Sequence, residues 1–105
     1  MLVTTNYIER KKNMSIVIVG GNDRMVSRYG DIARKYNYKA KIFTQMPADF
    51  ESKIGTPDLI AVFTSTCSHK MLDGVKRSSQ KHGTPVKHIN SSSASALKKM
   101  FESFT

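Results

Sequence analysis

The sequence predicts a three-layer α/β domain: a four-stranded parallel sheet, strand order 2-1-3-4, with helices on both faces. Two observations carry this expectation. Short apolar runs such as Ser15-Ile16-Val17-Ile18-Val19 and Leu59-Ile60-Ala61-Val62-Phe63 read as strands buried on both faces. Between such runs lie segments whose apolar residues recur at helical spacing. The resulting order is β-α-β-(α)-β-α-β-α, and right-handed crossovers on so short a chain then give parallel strands in the order 2-1-3-4.

The elements follow in turn. The first strand ends in Gly20-Gly21, a turn signal. Met25, Tyr29, Ile32, Ala33 and Tyr36 then fall at i, i+4, i+7, i+8 and i+11, with Arg24, Arg28, Asp31, Arg34 and Lys35 mostly on other faces. Gly30 weakens this helix slightly. A second strand spans Tyr38 to Thr44. After Pro47 the poorly patterned stretch Asp49 to Lys53 supports one or two helical turns before Gly55 and Pro57.

The third strand, Leu59 to Phe63, runs into Thr64-Ser65-Thr66-Cys67-Ser68-His69-Lys70, which holds the only cysteine. Ser68 reads as the N-cap of a helix from His69 to His82, closed by Gly83. Pro85 to Ile89 forms a fourth, more polar strand that suits a sheet edge. Asn90-Ser91-Ser92-Ser93 caps a last helix, in which Leu97, Met100, Phe101 and Phe104 make one apolar stripe.

Composition narrows the function classes. A chain of 105 residues with 39% hydrophobic residues suits one globular domain, taken here as residues 14–105. No apolar run approaches the ~18 residues of a membrane span, and no signal-peptide stretch opens the chain, so a cytoplasmic location without membrane contact is expected. A single cysteine excludes an internal disulfide framework. Residues 1–13 are polar and without period. They read as a disordered basic leader, or as a segment upstream of a true start at Met14, and the intact mass of the native protein decides between the two.

Lys and Arg number 17 against 8 acidic residues, a net charge of +9 with a sequence pI near 9.9. The excess is spread along the chain and suits nucleic acid, an anionic cofactor or plain solubility. No aromatic RNA-recognition motif, zinc-finger spacing or helix-turn-helix pattern accompanies it. A basic nucleic-acid-associated protein is therefore kept only as a second alternative.

The predicted topology brings three turns to the carboxyl edge of the sheet: Gly20 to Arg24, Thr64 to His69, and Asn90 to Ser93. Open α/β sheets bind ligands at that edge. Gly20 and Gly21 let a ligand approach the backbone, Ser65 and Ser68 with the helix N-termini suit anions, and Arg24 offers a bidentate charge. The same residues are also ordinary caps and turns. The chain lacks a G-x-G-x-x-G loop, a Walker loop and zinc or C-x-x-C-H spacing. It also lacks the aspartate that a two-component receiver places after the third strand. A sugar-phosphotransferase B domain would put its cysteine after the first strand, not the third. No histidine-plus-acid set accompanies Cys67, so an enzyme is not expected.

Gly20-Gly21, Arg24 and Tyr29, then Ser68-His69, Val75-Lys76 and Gly83-Thr84-Pro85-Val86, resemble the small bacterial family catalogued as domain of unknown function 2325, from about Ser15 to the C-terminus. The Ser-His pair with a lysine seven residues after the histidine is the most specific part. The resemblance implies a compact Rossmann-like domain and a haem-binding, dioxygen-carrying homodimer. It places Ser68, His69 and Lys76 at the motif positions.

Local chemistry permits haem. A helix N-terminus disfavours imidazolium, which keeps His69 in the form that ligates iron. Cys67 is the rival ligand, since the same position stabilises a thiolate. Met71, Leu72 and Phe63 are expected as apolar walls; Lys70, Arg24 and Lys76 are expected as cations for the propionates. His82 is read as serving the helix C-terminus and His88 as a weaker second-ligand candidate. The stripe ending in Phe101 and Phe104 leaves a dimer contact open. The alternative is a small-anion or nucleotide-binding module on the Gly20-Gly21 and Ser65 to Ser68 rim, without metal.

Overall fold

The computed structural model describes residues 14–104. The expectations for residues 1–13 lie outside the described residues, as does that for the Phe104 side chain. Four strands, β1 (Met14–Val19), β2 (Tyr38–Phe43), β3 (Leu59–Phe63) and β4 (Val86–Ile89), form one parallel sheet in the order β2-β1-β3-β4. The register sets Ile18 beside Ile42 on one side and Ala61 on the other, and pairs Val62 with His88. Helices α1 (Val26–Lys35), α2 (Phe50–Ile54), α3 (His69–His82) and α4 (Ala94–Phe104) complete a Rossmann-like architecture in the expected strand order.

Alternation along the strands divides the core in two. Ile16, Ile18, Leu59, Ala61 and Phe63 pack with Tyr29, Ile32 and Ala33 of α1 and with Leu97, Met100 and Phe101 of α4. Val17, Val19, Ile60 and Val62 face the other way, against Phe50 and Ile54 of α2 and Met71 and Val75 of α3. Every residue of β3 is buried, as a central parallel strand covered on both faces requires. Burial of such side chains contributes roughly 1.5–3 kcal/mol each.

Local signals fix the helix ends. Ser68 caps α3, its hydroxyl accepting from the Met71 N–H at 3.3 Å, and Gly83 closes the helix at φ 68°, its N–H donating to Ser79 O at 2.7 Å. The predicted single helix after Gly21 instead opens with a 3-10 turn, Asp23–Met25. Its cap is Asn22, whose side chain accepts from the Arg24 N–H at 2.9 Å. The Asp23 carboxylate accepts from Thr44 Oγ1 and from Gln45 Nε2, which ties this turn to the end of β2. A second 3-10 turn, Thr64–Thr66, separates β3 from α3.

Two helical glycines behave oppositely. A Cβ built on Gly74 would lie 2.8 Å from Cδ2 of the buried Phe50, so this glycine sets how closely α3 approaches α2. On Gly30 the nearest atom, Ile42 Cδ1, is 4.0 Å away. Helix propensity favours alanine at both positions by about 1 kcal/mol. Urea denaturation is therefore expected to show Gly30→Ala stabilised by up to about 1 kcal/mol. Gly74→Ala is expected to lose about 1–3 kcal/mol through overpacking. A stabilised Gly74→Ala would show that the α2 and α3 contact is looser than described.

Candidate functional site

The three turns do meet at the carboxyl edge, and their own hydrogen bonds join them. The Gly21 N–H donates to Thr66 Oγ1 at 2.8 Å, which links the first turn to the segment after β3. Thr64 Oγ1 lies 3.4 Å from Ile89 O and 3.3 Å from Asn90 Oδ1, linking that segment to the third turn. Tyr29 closes the circuit: its hydroxyl accepts from the Asn22 N–H at 3.3 Å and donates to Ser92 O at 2.6 Å. In the sequence Tyr29 stood out as part of an apolar stripe and of the family resemblance, with no sign of its loop contacts. Its partner in sequence is the double glycine, because a Cβ on Gly21 would lie 2.8 Å from its ring and Gly21 itself sits at φ +90°.

Most hydroxyls at this edge are already engaged. Ser68 caps α3, Ser93 accepts from the Ala96 N–H at 3.2 Å, and Ser91 accepts from the Ser93 N–H at 3.3 Å. Gly20 is buried, with its N–H on Phe43 O at 2.8 Å. Arg24 and Ser65 are exposed at the perimeter. The rim is thus brought together as expected, with the Gly21, Met71, Ser93 and Ala96 N–H groups already donating to its hydroxyls.

Cys67 is half-buried beside Gly20, and burial pushes its thiol above the ordinary value. The expected stabilisation of a thiolate at the helix start is not met. Cys67 precedes the capping serine in extended backbone, at φ −114° and ψ 132°, so desolvation outweighs the helix field.

His69, the first residue of α3, is exposed, and no hydrogen bond ties its ring to another described residue. Helical spacing puts Leu72, Lys76 and Gln80 on the same face of α3, in successive turns. That face fronts β4. A groove of about 330 Å³ is lined by Leu72, Val75, Lys76 and Ser79 of α3 together with Val86 and His88 of β4. β4 is an edge strand. Pro85 O accepts from the Ile60 N–H at 3.0 Å, so alternate residues, Val86 and His88, turn their backbone groups outward from the sheet.

Apolar side chains line this groove, whereas hydrogen-bonded polar turns make the rim. Met71 and Phe63, expected as walls, are 2% and 0% exposed and lie in opposite halves of the core, so neither faces a ligand. Half-buried Leu72 and Val86 supply apolar surface instead, Lys76 supplies a cation, and His88 lines the groove, while His69 lies outside the lining, one helical turn before Leu72. No group of three or more His, Cys, Asp or Glu side chains gathers as a metal cluster among the described residues. An axial histidine on a haem needs no such cluster. Among the described residues no helix is long and apolar enough to cross a membrane.

The raised thiol makes a direct expectation. Since the thiolate is the reactive form, native Cys67 should react with iodoacetamide more slowly at pH 8 than the same chain unfolded in urea, with its rate rising only at higher pH. An equal or faster native rate would contradict the burial described.

No curated protein and no solved structure matches the chain. The family model described as an uncharacterised protein conserved in bacteria, DUF2325, matches residues 15–104, a span from β1 through α4 that includes the Ser68-His69 and Lys76 positions. The chain belongs to that family.

Proposed function

We propose that this protein is a non-enzymatic module that binds haem noncovalently, with His69 beside the iron and dioxygen as the ligand carried. The observation that carries the reading is the exposed, uncommitted imidazole of His69 at the head of an α3 face that continues into the groove beside β4. Haem supplies a metal centre able to take a diatomic gas.

The chain's own residues then have separable roles. His69, exposed at the first position of α3, presents its imidazole as the iron ligand. Leu72 and Val86 exclude water from one face of the ligand, and Lys76, exposed seven residues after His69, meets an anionic substituent. His88, on the opposite wall, is the second-ligand candidate. A groove of about 330 Å³ is at the small end of ligand sites, which range over roughly 300–1,000 Å³. The outward backbone of β4 offers a second copy a place to complete the enclosure, and a homodimer is part of this proposal. The small-anion reading has less support, because the Gly21, Met71 and Ala96 N–H groups that would meet an anion already donate to Thr66, Ser68 and Ser93.

Titration with haem and an absorbance spectrum test the reading. A Soret shift is expected for the native chain and for Cys67→Ser, with the spectrum altered or lost in His69→Ala and kept in His82→Ala. No shift in the native chain, or an unchanged spectrum in His69→Ala, would reject His69 ligation. On size exclusion the haem-loaded protein should elute as a dimer; a monomer would remove the dimer from the proposal.

A further inference from the structure

The sheet's other edge carries a second concave feature, unrelated to His69. β2 is an edge strand, and alternation directs Tyr38, Ala40 and Ile42 toward α1 and α4, while Lys39, Lys41 and Phe43 face the layer of α2 and α3. That layer is thin here. With five residues, α2 is only about 7–8 Å long and leaves the strand face beside β2 open.

A cavity of about 270 Å³ results, with Lys39, Lys41, Val17, Ile54, Thr56 and Pro57 in its lining. An adjoining groove of about 420 Å³ is lined by Lys41, Ile42, Phe43 and Lys53. Lys41 belongs to both, so the two form one trough along β2, whose six residues span ~20 Å.

The trough is basic, with one carboxylate near its end: Asp58 Oδ2 accepts from the N–H of the lining residue Ser15 at 2.7 Å. Lys39, Lys41 and Lys53 are all exposed. The salt bridges among the described residues join Arg34 to Asp31 and Arg77 to Glu51, and neither involves these lysines. Lys41 Nζ donates to Lys53 O at 3.0 Å, which leaves its remaining protons for a ligand.

We propose that this trough binds single-stranded nucleic acid. Lys39 and Lys41 leave the same face of one strand two residues apart, about 7 Å, a repeat that suits a backbone with one negative charge per unit. Half-buried Phe43, held edge-on by Phe50 with ring centroids 5.4 Å apart, stands at the end of the trough. Ammonium groups on the rim and an aromatic in the groove are the two components of sequence-tolerant single-strand binding. A purely acidic peptide would use the lysines and leave the accessible part of the Phe43 ring uncovered. The net charge of +9 adds long-range attraction for a polyanion.

Fluorescence anisotropy of a labelled oligothymidine of about twelve nucleotides with the full chain tests this, between about 50 and 200 mM salt. Lys39→Gln with Lys41→Gln should weaken binding at least about tenfold and flatten the plot of log affinity against log salt by about 1.4, the loss of two phosphate contacts. Lys81→Gln with Lys99→Gln removes the same charge from exposed positions on α3 and α4 and should change affinity little. Equal losses in both pairs would mean bulk charge alone and would overturn the site. Polyglutamate displacing the probe as well as unlabelled oligothymidine would also overturn it, in favour of an acidic protein partner. Haem titration of the β2 variants should be unchanged, so failure here and failure of the His69 reading are read separately.

Discussion

Tyr29 lies wholly inside the protein, yet its hydroxyl reaches two loops, accepting from Asn22 and donating to Ser92. Its ring packs on Phe63, the last residue of β3, with centroids 5.0 Å apart. One side chain on α1 thereby positions the turns after β1 and β4 and the end of β3. A buried hydroxyl without partners would cost about 1–3 kcal/mol, so the loops and the tyrosine constrain each other. Gly21 meets the same constraint from the other side, since its missing Cβ makes room for that ring.

This arrangement explains why the functional reading moves away from the place where open α/β sheets usually hold ligands. The hydroxyls and amides that gather at the carboxyl edge satisfy one another through Thr66, Thr64 and the serine caps. Beside the exposed Arg24 and Ser65, the edge leaves His69 uncommitted, which begins α3 and shares a face with Leu72 and Lys76. Stability of the loops and availability of the imidazole have the same origin: Ser68 takes the capping role, and His69 need not.

The two sheet edges are distinct surfaces. At β4 the long helix α3, 14 residues, runs beside the strand and makes a groove with apolar residues and His88 in its lining. At β2 the five-residue α2 stops short, and lysines guard an open strand face. Lysines on an edge strand also discourage unwanted strand pairing, which is compatible with a charged ligand there. The difference between the edges traces to the length of two helices on one layer.

Much of the fold was legible because it rests on local patterns. The β-branched run at Ser15 to Val19, the wholly apolar β3 and the Ser68 and Gly83 caps determined strands, helix limits and, with handed crossovers, the strand order. Boundaries moved where side chains from distant segments intervene, as when Asp23, bound by Thr44 and Gln45, tightens the start of α1 into a 3-10 turn. Of the candidate site, the Ser68-His69 and Lys76 positions were visible in sequence, since cap chemistry and helical spacing are local. That Met71 and Phe63 point into opposite cores, that Leu72 and Val86 share a groove, and that Gly74 sits under Phe50 follow from packing between elements far apart in the chain. So does the gathering of Lys39, Lys41 and Lys53, whose charges look dispersed until β2 and α2 lie side by side. The sequence by itself determined which elements form and where they are capped. Tertiary structure alone decided which polar groups are spent and which remain free, because that depends on distances across the sheet.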